Sequence, residues 1–314
     1  MQITYIYHSG FWLESADAVV VIDYWRDGRQ DVASLVEATA KQVYVLASHV
    51  HPDHFNPVTL AWTSSKPIRY ILSADIRRRH KELREDGRIT WLHRGEEYGD
   101  GLVMINALGS TDVGVSWLVT LDGKRIYHAG DFNDWIRDES GEEDNRRMHN
   151  YFVAELNKMR EAVAEVDVAM FPADHHLGRH IADGAVQFCE AVRPKMLIPM
   201  HCWECYDEAG RVGGRSATHG DAVCGLQESR RPKNRVDELA RDNKKESADG
   251  VETRVGQEDG VGGVWACGLH DYMLDDGSET IVSGIGIEGC LCERRETYCG
   301  ADCRRRAMAV YAGG

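Results

Sequence analysis

Ser48-His49-Val50-His51-Pro52-Asp53-His54 follows directly on the apolar run Val43-Tyr44-Val45-Leu46-Ala47. A β-branched apolar run that breaks into polar residues reads as a buried strand ending in a loop. Pro52 lacks a backbone donor and stops the strand from continuing. Alternate side chains of an extended segment share a face, so His49 and His51 point the same way. The turn then brings Asp53 and His54 to a neighbouring point. Three imidazoles and a carboxylate within residues 49–54 suit two adjacent metal ions, one held by His49 and His51, the other by Asp53 and His54. Imidazole with carboxylate favours zinc, with iron or manganese as alternatives.

Upstream, Ile3 to His8 and Phe11 to Glu14 read as short strands around Ser9-Gly10, and Ala18 to Tyr24 as a buried strand. Asp31 or Gln30 is placed to cap a helix running to about Lys41. Downstream, Asn56-Pro57 has the form of a helix start. Ile68 to Leu72 reads as a strand and Asp75 to Glu85 as a helix, whose Arg77-Arg78-Arg79-His80 face is best read as solvated. Ile89 to His93 and Leu102 to Leu108 read as strands linked by polar turns. Val115 to Leu121 and Arg125 to Tyr127 pair around the Asp122-Gly123 turn and end at His128-Ala129-Gly130-Asp131. Glu139 to Asn145 is an acidic insert, expected to be mobile. Met148 to Val166 has helical spacing. Val168 to Phe171 is a strand opening into Pro172-Ala173-Asp174-His175-His176-Leu177-Gly178, where His175 and His176 either bind substrate, donate a proton or substitute for a missing metal ligand, or else have a plain loop role. Ala182 to Val192 reads as a helix, and Met196 to Pro199 as a strand closing at Met200-His201.

The His-x-His-x-Asp-His run resembles the signature of the metallo-β-lactamase superfamily, and the resemblance covers roughly residues 1 to 205. It implies an α+β fold, the four-layer αββα sandwich, with a dinuclear site and hydrolytic activity. It further implies that Asp131, in a Gly-Asp pair at a strand end, bridges both ions. His201 would complete the second site with Asp53, His54 and Asp131. Asp23 would orient the metal loop. Most of the family place a third histidine for the first ion ahead of the hairpin. Here Gly109-Ser110-Thr111-Asp112 stands there instead, a variant resembling a branch distant from the antibiotic-degrading enzymes. Asp112 either replaces that ligand, since a carboxylate also holds zinc, or is a turn aspartate bonded to its own backbone. His128 is either a proton-relaying neighbour of the site or a packed, hydrogen-bonded histidine.

With 314 residues and 43% hydrophobic content, the chain suffices for one large domain, or for one domain with an appendage. The expected division is a metallo-β-lactamase-like domain over residues 1–206 and an atypical, largely disordered tail over 207–314, because residues 210–250 carry charge and glycine with little apolar periodicity. Within that tail, 261–273 and 280–287 are the plausible ordered pieces, and Cys290, Cys292, Cys299 and Cys303 have a spacing that fits no familiar zinc site. Nine cysteines, an odd number, argue against a complete disulfide framework. The net charge of −14 disfavours nucleic acid and acidic membrane surfaces. No apolar run approaches the ~20 residues of a membrane span, and Met1-Gln2-Ile3-Thr4-Tyr5 has no signal-peptide character, so a cytoplasmic location is expected.

No Gly-x-Ser-x-Gly and no Gly-Lys-Ser/Thr phosphate loop is present. The expected chemistry is therefore hydrolysis by metal-activated water, with Zn2+, one or two per chain, as cofactor and Asp53 and Asp131 as catalytic residues. A small-molecule ester, lactone or amide is the expected substrate. A metal-dependent phosphodiesterase or nuclease, and a non-catalytic metal-binding scaffold or regulator, are the alternatives.

Overall fold

The computed structural model describes residues 1–205 and the backbone of 281–283. Two sheets form the centre. The first comprises β1 (Gln2–Tyr7), β2 (Gly10–Glu14), β3 (Ala18–Ile22), β4 (Gln42–Ala47), β5 (Arg69–Ser73), β6 (Ile89–Leu92) and β13 (Ile281–Ser283), in the order β13-β1-β2-β3-β4-β5-β6. The second comprises β7 (Glu97–Gly99), β8 (Val103–Leu108), β9 (Ser116–Leu121), β10 (Lys124–His128), β11 (Val168–Pro172) and β12 (Met196–Met200), in the order β12-β11-β10-β9-β8-β7. Helices α1 (Val32–Ala38) and α2 (Ala74–Arg79) belong to the first half, and α3 (Glu142–Met159) and α4 (Asp183–Val192) to the second.

Period-two alternation explains the layering. On β3, Val20 and Ile22 enter the large core that also holds Trp117, Tyr127 and Phe171 of the second sheet. Val19 and Val21 face the other way, into a core shared with Val32 and Val36 of α1 and Ile76 of α2. On β4, Tyr44 and Leu46 join the first core and Val43, Val45 and Ala47 the second. Strands covered on both faces need no polar side, so they read as continuous apolar runs. Phe152, Leu156 and Met159 of α3 and Phe188 and Val192 of α4 cover the outer face of the second sheet. The result is the αββα sandwich.

Several boundaries differ from the sequence reading. The acidic stretch 139–145 is not a mobile insert: α3 begins at Glu142, and Glu142, Glu143 and Asp144 form its first turn, where negative side chains complement the helix dipole. The turn before β8 contains the short strand β7, paired antiparallel with β8. Asn56-Pro57 opens a 3-10 turn over Pro57–Ala61 rather than an α-helix, with the Asn56 side chain accepting from Val58 N–H. The helix read from Asp75 stops at Arg79, followed by a 3-10 turn over Lys81–Leu83. Ile281–Ser283 runs parallel to β1, inside one of the two pieces expected to be ordered. The other expectations for the tail, including its disorder and the cysteine group, lie outside the described residues. Among the described residues no helix is long and apolar enough to cross a membrane.

Candidate metal centre

The site lies where strand ends from both sheets meet. β3 and β4 are parallel neighbours, so their C-terminal ends are adjacent, and Asp23 sits just past β3. Asp23 is fully buried. It accepts hydrogen bonds from Ser48 N–H at 2.7 Å, Ser48 Oγ at 2.6 Å and His54 Nδ1 at 2.7 Å. Asp75 anchors the loop from α2 by accepting from Val50 N–H at 3.0 Å. The N–H groups of His54 and Phe55 both donate to His51 O, closing a tight turn that returns Asp53 and His54 toward His49. The orienting role expected of Asp23 is thus what the structure shows.

His49, His51, Asp112 and Asp131 form one cluster, each offering a donor atom within 4.8 Å of the others. His49 Nε2 lies 2.9 Å from His51 Nδ1 and 3.2 Å from Asp131 Oδ2. His51 Nδ1 lies 3.8 Å from Asp112 Oδ2 and 3.9 Å from Asp131 Oδ2. Ligand atoms around a tetrahedral zinc ion stand about 3.3 Å apart, and these distances bracket that value. Asp112 N–H is bonded to Ser110 Oγ at 3.2 Å, so Ser110 holds this turn and the Asp112 carboxylate faces the cluster. Thr111 Oγ1 donates to Asn133 O at 2.7 Å and accepts from Asn133 N–H at 2.9 Å, which fixes the Asp112 loop to the segment after Asp131.

Two glycines permit this approach. Gly114 has φ +75°, and a Cβ there would stand 2.2 Å from Ser48 O and 2.5 Å from His49 Cβ. Gly130 has φ +53°, with Ser48 Oγ 2.9 Å from a Cβ at that position. Gly114→Ala therefore combines left-handed strain with a backbone clash. We expect a loss of about 2–4 kcal/mol, read as a lowered denaturation midpoint in urea with an unchanged slope.

The second cluster comprises His8, Asp53, His54 and His201. Asp53 Oδ2 lies 3.2 Å from His8 Nε2, 3.5 Å from His201 Nε2 and 3.7 Å from His54 Nε2. Asp131 joins the clusters: its Oδ2 faces His49, while its Oδ1 is 3.1 Å from His54 Nε2 and 3.5 Å from His201 Nε2. His201 is held from behind by Asp174, whose Oδ2 is 3.0 Å from His201 Nδ1. Both His54 and His201 thus engage a carboxylate through Nδ1 and aim Nε2 inward, the usual arrangement of metal-binding imidazoles.

Charges in the cluster are strongly coupled. Burial disfavours the His201 cation, but the Asp131, Asp174 and Asp53 carboxylates outweigh it and push its pKa up to about 9. His54 is raised too: burial opposes charge, and Asp131 and Asp23 prevail. Burial would raise Asp131, yet His54 and His201 hold it well below the ordinary carboxylate range. For His8 burial dominates and lowers the pKa to about 4. Among the described residues the buried atoms His8 Nε2, His54 Nε2 and Asp131 Oδ1 make no well-formed hydrogen bond, only approaches at ion-pair distance within the cluster. Buried polar atoms of this kind need an explanation, and a cation among them supplies one. The donor set, imidazole nitrogen and carboxylate oxygen, fits a divalent metal.

His49, His51, Asp53, His54, Asp112, Asp131 and His201 are therefore brought together. His175 and His176 lie across Asp174 from His201: Asp174 Oδ1 is 2.7 Å from His176 Nδ1 and also accepts His176 N–H at 2.8 Å. His128 is a packed histidine rather than a proton relay. It is buried, donates from Nε2 to Ser9 O at 2.8 Å and accepts Gly130 N–H on Nδ1 at 3.1 Å. Sequence reasoning missed His8 and Asp174. Asp174 had a usable signal, since it stands at a strand end beside two histidines. His8 is a single histidine at the end of an ordinary strand.

This arrangement is the metallo-β-lactamase fold with its metal-binding loop. Residues 2–147 match the family model described as a beta-lactamase superfamily domain, so this part of the chain is similar to the metallo-β-lactamase superfamily. Among its relatives, a UPF0173 metal-dependent hydrolase of Pyrococcus furiosus is 26% identical over 212 residues, covering 64% of this chain and 84% of the relative. A second UPF0173 metal-dependent hydrolase, from Archaeoglobus fulgidus, is 27% identical over 219 residues, with 64% and 83% covered. In fold, the chain is similar to Igni18, a metallo hydrolase of Ignicoccus hospitalis, with a TM-score of 0.51, 18% identity, and 69% of this chain and 91% of that one covered.

Proposed function

We propose that this chain is a metal-dependent hydrolase that attacks a small-molecule ester, lactone or amide with water. The observation that carries the proposal is the Asp131 carboxylate, which presents Oδ2 to the His49/His51 cluster and Oδ1 to His54 and His201. That disposition supports two neighbouring divalent ions bridged by one residue. His49, His51, Asp112 and Asp131 would hold the first. Asp53, His54, Asp131 and His201 would hold the second. Zinc suits this donor set, with iron and manganese as alternatives. Such ions, when bound, bring the pKa of coordinated water from ~16 toward ~7 and polarise a scissile carbonyl oxygen.

The chain's own residues divide the remaining work. The side chains of His51 and Asp112 are 44% and 40% exposed, whereas His8, His54 and His201 are buried, so substrate approaches from the His51–Asp112 side. Asp53, between the buried imidazoles, orients the nucleophile and accepts its proton. Trp135 lies 5.9 Å from the His201 ring and Trp203 5.7 Å, aromatic surface beside the site for an apolar substrate group. His175 and His176 extend this wall and are proposed to contact substrate. The acidic chain, of net charge −14, favours a small substrate over a polyanion. We further propose that residues 1–206 carry the activity and that the protein works in the cytoplasm.

The test is a panel of generic esters, lactones, amides and bis-p-nitrophenyl phosphate, with protein loaded with Zn2+, Mn2+ or Fe2+. We expect turnover of an ester, lactone or amide, falling at least 100-fold on chelation and restored by metal. Turnover of the phosphodiester alone would replace this reading with a phosphodiesterase. Full metal occupancy without turnover of any substrate would favour a binding or regulatory role.

A further inference from the structure

We propose that His8 is a protein ligand of the buried ion, so that the histidine the family usually places at the exposed ion is here offset by an additional one at the buried ion. This rests on the dinuclear reading above and adds to it a residue from β1. Three observations carry it. The His8 ring is buried, and among the described residues neither ring nitrogen makes a well-formed hydrogen bond, Nε2 standing only at ion-pair distance from the Asp53 carboxylate. Its Nε2 is directed at Asp53 Oδ2, 3.2 Å away, closer than the Nε2 of His54 or His201 to the same oxygen. A buried histidine serving only to fill space normally pairs at least one nitrogen, as His128 does with Ser9 and Gly130.

The backbone is arranged to place the ring there. His8 and His201 are both non-glycine residues in the left-handed region, with φ of 56° and 59°. Such a conformation is strained for a residue that carries a side chain and concentrates where side chains are aimed for function. The two turns are locked together: His201 N–H donates to His8 O at 3.0 Å. That bond joins the end of β1 in one sheet to the end of β12 in the other, and the two imidazole centroids stand 4.1 Å apart. Trp25 and Trp203 pack edge-on against the His8 ring, at 5.4 Å and 4.6 Å, restricting its rotation.

The two metal positions then differ in kind. The buried one has three imidazoles and Asp53, with Asp131 alongside. The exposed one has two imidazoles and two carboxylates. Nitrogen donors raise affinity for late first-row ions, and burial slows exchange. The buried position should therefore hold its ion against a chelator that strips the exposed one.

The experiment is graded chelation of the full-length zinc-loaded protein, with zinc counted by mass spectrometry, for wild type, His8→Gln and His8→Phe. X-ray absorption on the one-zinc form counts the imidazoles. Wild type should fall from two ions to one at low chelator, and that one should show three imidazoles. In the variants the retained ion should be released at chelator concentrations at least 10-fold lower, with two imidazoles. Far-UV circular dichroism and melting of the metal-free proteins separate misfolding from ligand loss, and His8→Phe keeps the space filled. Variants that fold and retain the ion as wild type does, or a wild-type spectrum with two imidazoles, would overturn the assignment while leaving the dinuclear reading intact. Wild type that binds fewer than two ions would instead overturn the dinuclear reading, and this assignment with it.

Discussion

Asp131→Asn should leave a folded protein with at most one bound ion and hydrolytic turnover reduced by about 10³-fold or more. The reasoning is electrostatic and geometric. One carboxylate lies within 3.2 Å of His49 Nε2 through one oxygen and 3.1 Å of His54 Nε2 through the other. An amide of the same shape keeps a single acceptor oxygen, loses the negative charge, and turns an NH2 toward one of the clusters. Two cations can be held close together only if anionic ligands between them offset their repulsion. The amide removes that charge at the midpoint. Packing should survive, because side-chain volume is conserved and Trp135 Nε1 bonds to the Asp131 backbone oxygen, at 2.9 Å, rather than to its side chain. Ion counts and kcat on the same preparation, beside a melting curve, check this. A variant that holds two ions and turns over like wild type would remove Asp131 from its bridging role.

The second large effect is expected at Asp23, through both stability and metal affinity. Asp23 is fully buried and accepts from Ser48 N–H, Ser48 Oγ and His54 Nδ1. Burial opposes its ionisation, and His128, His54 and His49 outweigh it, lowering its pKa below the ordinary value. Asp23→Ala leaves three buried donors without their acceptor. Breaking a buried charged network of this kind costs about 3–5 kcal/mol, a large share of the ~5–15 kcal/mol that holds a typical domain folded. Because Asp23 also sets the His54 ring, metal affinity should fall about 10–100-fold. Urea denaturation with and without metal separates the two contributions. A metal-free midpoint within experimental error of wild type would show that the network does not support the fold.

The fold and most of the site were legible because they rest on short-range patterns. Apolar runs marked the strands buried on both faces, and His49, His51, Asp53 and His54 are packed into a single loop. Asp131 and His201 stand at strand ends, and the resemblance said which strand ends meet. Asp112 stood at the right place in the chain, while its orientation depended on Ser110 taking the turn's hydrogen bond, which spacing alone does not reveal. His8 was illegible because its significance lies wholly in distant partners: Asp53 and His201 approach it only after the sheets pack. The start of α3 was misread for a local reason. Three acidic residues resemble a solvated loop in composition, yet at a helix N-terminus they are stabilising.

The central claim is a pair of metal positions joined through Asp131 and completed on the exposed side by Asp112. Metal content of freshly purified protein, measured by mass spectrometry beside Asp112→Ala, tests it most directly. The account predicts two ions per chain in wild type and one in the variant. One ion in both proteins would contradict it.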